Sequence, residues 1–366
     1  MLNRRHLMTT AAAALSAAVP ALKAQAKEAE AKGLAFDVEA RGTTEIFERL
    51  PRLDLESELD FYTGYRTWVR NDVFKQAARR AEAIFKARGL DPNKNDLPVR
   101  EVVQLLEADP ILAYNVHARE TTQQIMWKAI QDEYHAHADQ YLDELDRAAK
   151  QGPGTLQVRK DLHIPKFASY EIHLQPGGYV GDAFAGYIYY HGLNVEFADG
   201  NYHDELQGNR AATVPVPADG KVRRVLDQGC SSGQLVQQLK KRFPEAEAWG
   251  NDIGAPMLRF AHMRSVDLGV ETHYAHELCE QSQFPDNHFD IITNFLLYHE
   301  VPEAIGRAII HEAWRTLRPG GIWYPMDIYT TGNPPTSAYS KFSSWYNHRW
   351  NAEVWWLEYY DWANDF

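Results

Sequence analysis

The pattern of apolar and polar residues changes near residue 221. Beyond that point, short apolar or β-branched runs alternate with amphipathic stretches, which predicts βαβ units and a parallel sheet covered by helices. The predicted strands are residues 222–227, 248–252, 272–275, 289–295 and 321–329. The helices predicted between them are residues 234–243, 256–266 and 303–317.

The chain before residue 155 has the periodicity of helices. Apolar residues recur on one face between Phe74 and Phe85, and the following Gly89 and Pro92 predict the end of that helix. Further helices are predicted over residues 98–107 and within residues 111–145.

A break at residues 152–154 (Gly-Pro-Gly) separates the two patterns. We therefore predict an all-helical N-terminal domain over residues 27–154, a covering segment and linker over residues 155–220, and an α/β domain over residues 221–366.

The first 26 residues have the build of a secretory signal. Arg4 and Arg5 precede an Ala-rich apolar stretch, and small residues at 24 and 26 follow it. The paired arginines are similar to those of twin-arginine signals, so we predict an exported or periplasmic protein. The alternatives are a frayed N-terminal helix or a lipid-surface anchor, with a cytoplasmic location.

Charge and cysteine content narrow the function classes. The formal net charge is −12, and residues 1–26 carry three basic residues and no acidic one. The rest of the chain is therefore strongly acidic, which disfavours nucleic acids and anionic membranes as partners. Two cysteines exclude a disulfide scaffold and a four-cysteine metal site. No apolar run reaches the roughly 18 residues of a membrane span.

One group of residues has the composition of a metal site. Its members are His117, Glu120, Glu133, His135 and His137. Two pairs have the i, i+3 or i, i+4 spacing of neighbours on a helix, but His135 points away from His137. We interpret the group as solvated helix faces and predict no metal site.

The end of the first predicted strand carries the clearest chemical signal. Gly229 permits a sharp turn and close approach of a ligand, and Gly233 stands where a helix begins. The N–H groups of that helix end favour a carboxylate or a phosphate. The dinucleotide fingerprint requires glycine at the positions of Ser231 and Gln234, so a nucleotide-dependent oxidoreductase is disfavoured.

The remaining pattern, acid-x-Gly-x-x-x-Gly, resembles the first motif of the class I S-adenosylmethionine-dependent methyltransferases. Four further stretches resemble this family in the same order. They are residues 250–252 (Gly-Asn-Asp), 283–290, 297–302 and 312–321, the last ending in Arg-Pro-Gly-Gly. The resemblance covers about residues 167–330. It implies a Rossmann-like, doubly wound, mostly parallel sheet, S-adenosylmethionine as cofactor, and methyl transfer to a small-molecule substrate.

The resemblance also assigns cofactor-binding residues. It implies that the methionine portion is held by Asp227, Gly229, Cys230 and Gly233. Asp252 would bind the ribose and Ile253 would lie against the adenine. The family often places an acid near the adenine amine; here that position is Leu278, with Glu277 one residue away. Asn294 is a further candidate.

The acceptor side is defined less well by the sequence. If the acceptor is a hydroxyl, a general base assists the transfer, and His299 is the catalytic candidate. Tyr298, Tyr179 and Tyr187 are candidates for the substrate pocket. Five of the ten Trp lie between residues 345 and 362. We predict one aromatic helix over residues 337–362, packed on the sheet or forming a pocket wall.

We therefore predict methyl transfer to a small aromatic or apolar acceptor. The alternative is an exported, non-catalytic ligand-binding protein that retains the fold. Only 37 residues follow Tyr329, whereas the family usually has a helix and two more strands there. The fifth strand would then have an open edge, unless the sequence lacks its last strands or another segment covers it.

Overall fold

The described residues before residue 150 form five helices. The computed structural model describes residues 53–94, 97–194, 201, 203–328 and 337–363, so the predicted signal at residues 1–26 lies outside the described residues. Helix α1 continues through a π-helical turn, Val69–Val73, into α2. The helices are α1 (Leu53–Trp68), α2 (Phe74–Ala87), α3 (Val99–Leu106), α4 (Pro110–Ala136) and α5 (Ala138–Ala148).

Local sequence explains where these helices lie. Ala77, Ala81 and Phe85 are spaced four residues apart and form the buried face of α2. Helix α4 begins at Pro110, and the side chain of Asp109 accepts hydrogen bonds from the first free backbone N–H groups. Both features favour the start of a helix at this point.

In the middle of the chain, the residues that the structure describes form one strand, two short 3-10 turns and two helices. They are β1 (Thr155–Gln157), the turns Lys166–Ser169 and Ile172–Leu174, α6 (Ala185–Gly192) and α7 (Glu205–Thr213). The sequence did not predict β1, because three residues are too few to show a periodic pattern.

The second half of the chain alternates strands and helices as predicted. Its elements are β2 (Arg224–Gln228), α8 (Gln234–Arg242), β3 (Glu247–Asp252), α9 (Ala255–Leu268), β4 (His273–His276), β5 (Phe289–Phe295), α10 (Glu303–Thr316) and β6 (Leu317–Met326). Two helices follow, α11 (Ala338–Trp350) and α12 (Trp356–Trp362).

The six strands form one parallel sheet in the order β1-β4-β3-β2-β5-β6. This confirms the predicted Rossmann-like, doubly wound fold. The register places Asp227 beside Gly250 of β3 and Thr293 of β5, so the carboxyl ends of three strands lie together. Among the described residues, β6 pairs with β5 only, and it begins at Leu317 instead of the predicted residue 321.

The prediction of a single C-terminal helix is wrong. The chain breaks between α11 and α12, where Ala352 has a φ of 55°. The break turns the side chain of Asn351 into the interior, where it donates to Glu353 Oε1 (2.6 Å) and accepts from Gln123 Nε2 (2.7 Å). These buried hydrogen bonds stabilise the break between the helices, because a buried side-chain amide without partners would cost free energy.

The two C-terminal helices have different partners. Tyr339, Phe342 and Tyr346 of α11 are buried with residues of α2, α3 and α4, so α11 packs on the N-terminal helices. Tyr359 and Trp362 of α12 pack with Tyr298 and other residues beside the sheet. The last two helices thus join the N-terminal helices on one side and the sheet on the other.

The structure contains long helices, but none has the apolar character of a membrane span. This finding applies to the part of the chain that the structure describes.

Replacing Gly192 by alanine is expected to reduce the free energy of unfolding by about 1 to 3 kcal/mol. A Cβ atom at Gly192 would lie 1.8 Å from Cζ3 of the buried Trp127, where α6 packs on α4. Gly64 of α1 has no such neighbour within 4 Å. Gly64→Ala should therefore be neutral or stabilise by up to about 1 kcal/mol. Urea denaturation measures both; a Gly192→Ala protein as stable as the native one would contradict this packing.

Candidate functional site

A cleft opens at the carboxyl ends of β2, β3 and β5. Its empty space, including the solvent-filled mouth, is about 810 Å³. Its walls come from the loops that follow these strands, from α10, and from the segment between residues 167 and 189. The residues that line the cleft include Gly229, Ser231, Asp252, Ile253, Met257, Tyr179, Tyr189, Cys279, Glu280 and Glu300.

The loop after β2 forms the floor of the cleft. Gly229 has a φ of +66°, and a Cβ atom there would lie 2.8 Å from a methyl group of Leu297. Gly233 has a φ of +77° at the start of α8, and its Cβ would lie 2.5 Å from the Tyr274 hydroxyl. Both positions therefore require glycine, for backbone conformation and for space. The result is a loop whose backbone is accessible at Gly229.

Asp252, at the end of β3, connects this loop to its neighbour. Its Oδ2 accepts from the backbone N–H of Ser231 (2.9 Å), and its Oδ1 accepts from that of Gly254 (2.7 Å). A carboxylate has about four acceptor positions, so both oxygens retain capacity for ligand hydroxyls. Burial raises the pKa of Asp252, while the two N–H groups oppose this effect.

Four predicted site residues line the cleft together: Gly229, Asp252, Ile253 and Tyr179. Gly233 lies beneath it, against Tyr274 and Ala261. Cys230 is buried under β3, and a Cβ on Gly250 would meet its sulfur at 2.6 Å.

Asp227 is buried at the end of β2, next to the cleft floor. Its Oδ1 accepts from the Thr293 hydroxyl (3.0 Å). Burial raises the pKa of this carboxyl to about 7, although the Thr293 hydrogen bond opposes the shift. The Asp227 side chain therefore lies beneath the loop after β2, beside the residues that were predicted to hold the methionine portion of the cofactor.

The adenine side of the cleft differs in detail from the expected pattern. Both oxygens of Glu277 are engaged, one by Asn251 Nδ2 (3.1 Å) and one by the backbone N–H of Gln283 (3.0 Å). Leu278 is half-buried away from the cleft wall, and Cys279 and Glu280 line the wall instead. Asn294 is fully buried and donates to the Tyr298 hydroxyl (2.8 Å).

The three predicted substrate tyrosines have separate locations. Tyr179 lies over the loop after β3, with its backbone oxygen 2.9 Å from the Cβ position of Gly254. Tyr298 is fully buried behind the cleft. Tyr187 is fully buried in a different aromatic cluster between α4, α5, α6 and α9, where its hydroxyl donates to Glu144 Oε2 (2.9 Å).

A network of ionisable groups lies at one end of the cleft, which we call the acceptor end. It consists of Glu300, Tyr179, His173, Glu353, His299 and Asp327. Glu300 faces the cleft, and its Oε1 accepts from the Tyr179 hydroxyl (3.0 Å) and lies 3.1 Å from His173 Nε2. His173 Nδ1 lies 3.3 Å from Glu353 Oε1. Burial alone would lower the pKa of His173, but Glu353 and Glu300 outweigh burial and raise it to about 10.

His299 lies behind Glu300 and does not line the cleft. Its Nδ1 is 2.6 Å from Asp327 Oδ1, and its Nε2 is 4.0 Å from Glu300 Oε1. Burial lowers the pKa of His299, and Asp327 reverses the shift so that the pKa is raised. The catalytic role of His299 remains a prediction. In this arrangement Glu300 lies between the His299 ring and the cleft.

Sequence reasoning missed several residues that form the cleft. Glu300 directly follows His299, but the sequence does not show that the 3-10 turn Tyr298–Glu300 buries its first two side chains and leaves the third only partly buried, facing the cleft. Phe167, Ile172 and Tyr189 belong to a segment without periodicity, so no pattern could assign them to the wall.

Comparisons with known proteins agree with this geometry. Residues 225–321 match the family model described as a methyltransferase domain. This stretch contains the loop after β2, Asp252 and Glu300. The stretch is thus similar to the methyltransferase domains of known proteins.

Two curated relatives are similar to about a third of the chain. One is a demethylmenaquinone methyltransferase of Thermus thermophilus, 31% identical over 115 residues, which are 31% of this chain and 50% of the relative. The other is a ubiquinone/menaquinone biosynthesis C-methyltransferase of Burkholderia orbicola, 31% identical over 121 residues, 33% of this chain and 49% of the relative. The chain spans about half the length of these relatives.

Solved structures also align with a part of the chain. The YcgJ protein of Bacillus subtilis is 26% identical, with 40% of this chain and 58% of that chain covered and a TM-score of 0.33. The geranyl diphosphate C-methyltransferase of Streptomyces coelicolor is 16% identical, with 35% and 47% covered and a TM-score of 0.30.

Asp227→Asn is expected to remove part of the pH dependence of stability. Because the pKa of Asp227 is raised in the folded state, the group favours folding below about pH 4 and loses this contribution as the pH rises to about 7. Between about pH 5 and pH 8 the native protein should lose about 2 to 3 kcal/mol that the variant retains.

Urea denaturation of both proteins at the two pH values measures this difference. The control is Asp132→Asn, which changes an exposed carboxylate of α4. Equal pH dependence in the native protein and Asp227→Asn would show that Asp227 is not protonated in the fold at neutral pH.

Proposed function

We propose that this protein transfers the methyl group of S-adenosylmethionine to a small acceptor with an aromatic or apolar body. One observation carries the proposal: the loop after β2, Asp252 and a mostly apolar wall open into a single cleft. A cofactor and an acceptor bound in one cleft can be held in contact, which is the main requirement of methyl transfer.

The residues present fit the cofactor. The accessible backbone at Gly229 and the start of α8 suit the methionine portion, because helix N-termini attract carboxylates. Asp252 has acceptor capacity for ribose hydroxyls. Ile253 and Met257 supply apolar surface beside it for the adenine.

The acceptor side of the cleft is apolar with few polar groups. Phe167, Ile172, Leu297, Val301, Ile305 and Ile309 provide the apolar surface. Glu300 and Tyr179 provide a carboxylate and a hydroxyl at its end. Such a wall favours a flat apolar ring, and the two polar groups favour an oxygen on that ring.

The names of the two curated relatives support the same kind of acceptor. They describe enzymes of menaquinone and ubiquinone formation. We therefore propose a phenol-like or quinol-like ring as the acceptor.

The reaction is an in-line displacement at the methyl carbon. An electron pair of the acceptor forms the new bond to that carbon, and the C–S bond breaks with its electron pair left on sulfur. The acceptor loses a proton to the ionisable groups at the acceptor end. The chain contributes alignment of the two ligands and exclusion of water by the apolar wall.

Transfer of labelled methyl groups to a naphthohydroquinone tests the proposal. Glu300→Gln is expected to lower kcat/KM for this acceptor by about 100-fold or more, and Tyr179→Phe by about 10-fold. Both variants should bind S-adenosylmethionine as the native protein does.

The matched control is Glu303→Gln, since Glu303 is partly exposed and pairs with Arg307. Native transfer that is equal for the naphthohydroquinone and a sugar alcohol would contradict an apolar acceptor site.

We also propose that residues 1–26 direct export through the twin-arginine route. The support is the Arg4-Arg5 pair before an apolar stretch. Replacing both arginines by lysine should retain the protein in the cytoplasm, whereas the native chain should be recovered from the periplasm without its first residues. Mass spectrometry of each fraction checks this, and an intact N-terminus in the cytoplasm for both proteins would contradict it.

A further inference from the structure

Two histidines and a glutamate converge at the acceptor end. His173, His299 and Glu300 each offer one ligand atom, and these atoms lie within 4.8 Å of one another. Glu300 Oε1 is 3.1 Å from His173 Nε2 and 4.0 Å from His299 Nε2. Ligands about 2.1 Å from one metal ion lie about 3 to 4 Å apart. We propose that these three side chains bind a divalent transition-metal ion of the Zn²⁺ class.

Both imidazoles are held as metal ligands usually are. His173 Nδ1 lies against Glu353, and His299 Nδ1 lies against Asp327. Asp327 is itself fixed by the backbone N–H groups of Tyr298 and Ile328, each 2.6 Å away. A carboxylate on one ring nitrogen fixes the ring orientation and makes the other nitrogen a better ligand. In both rings that other nitrogen faces Glu300.

The backbone conformation at His173 is a second observation in favour of a ligand site. His173 has a φ of 56°, a conformation that is costly for a residue with a side chain. It is held there by Trp127 Nε1, which donates to the His173 carbonyl (2.7 Å), and by Gln123 Nε2, which donates to the same oxygen. Strained residues of this kind persist where the surroundings fix them, often at ligand sites.

Charge and ligand type indicate which ions fit. Glu300, Glu353 and Asp327 place three carboxylates around the two histidine rings. One divalent cation would offset as much of this negative charge as protonation of both rings would. Two imidazoles favour Zn²⁺, Fe²⁺ or Co²⁺ over Mg²⁺ and Ca²⁺, which prefer oxygen ligands. The sequence predicted no metal site, because the two histidine-bearing turns are more than a hundred residues apart.

The location gives the ion a role that rests on the proposed function. Glu300 and Tyr179 line the cleft, so an ion bound to Glu300 lies beside the bound acceptor. It would bind the oxygen of a phenol-like ring, orient the ring toward the methyl donor and favour loss of the hydroxyl proton. The substrate class is then narrowed to acceptors with an oxygen on the apolar ring.

Metal binding is tested directly on the untagged, chelator-treated full chain. Calorimetric titration with Zn²⁺ should show one ion per chain, and Co²⁺ should give visible absorption bands of a nitrogen- and oxygen-ligated ion. His173→Gln and Glu300→Gln are expected to weaken Zn²⁺ binding by at least about 100-fold. Asp327→Asn changes the partner of His299 but none of the three proposed ligands, and it should weaken Zn²⁺ binding by about 10- to 100-fold.

The matched control is His135→Gln, because His135 is half-exposed and pairs with Asp182 outside the cleft. It should bind Zn²⁺ as the native protein does. Circular dichroism establishes that each variant is folded. Absence of Zn²⁺ and Co²⁺ binding by the native chain would overturn the inference. Equal affinity in the native protein, His173→Gln and Glu300→Gln would also overturn it.

The outcome is distinguishable from that of the proposed function. S-adenosylmethionine binding is measured on the same metal-free protein, and Asp252 is not among the proposed metal ligands. A chain that binds the cofactor but no Zn²⁺ contradicts the metal site alone. A chain that binds Zn²⁺ but no cofactor contradicts the methyltransferase proposal alone.

Discussion

The site depends on one buried carboxylate. Asp252 accepts from the backbone N–H groups of Ser231 and Gly254, and thereby ties the loop after β2 to the loop after β3. These loops follow adjacent parallel strands, so their relative position is set by the sheet and then fixed by this side chain. Because the carboxylate still has acceptor capacity, the group that organises the cleft is also able to bind a ligand.

The acceptor end is organised by elements from three parts of the chain. Gln123 of α4 donates to Asn351, which lies between the two C-terminal helices, and also to the carbonyl of His173. Asn351 in turn lies against His173 Nδ1 and Glu353. Buried charges are costly unless they are paired and hydrogen-bonded, and Glu353 is paired with His173 and accepts a hydrogen bond from Asn351. Helix α4, which lies outside residues 225–321, therefore supports the acceptor end directly.

The sequence predicted what depends on local pattern and motif. The strand Phe289–Phe295 and the start of α8 follow from periodicity and glycine placement, and Asp252 follows from its position at the end of β3. The break at Asn351 could not be predicted, because its hydrogen-bond partners are in α4 and in the segment around His173. Glu300 was missed for a similar reason, since only the fold shows which side of a short turn faces the cleft.

Calorimetric titration of S-adenosylmethionine and S-adenosylhomocysteine into the native full chain tests the central claim, that the loops joined by Asp252 form a working cofactor site. The account predicts binding at micromolar strength that is lost in Asp252→Ala, with circular dichroism showing that the variant is folded. A folded native chain that binds neither compound would contradict the account. It would leave a protein that retains the fold and binds some other ligand.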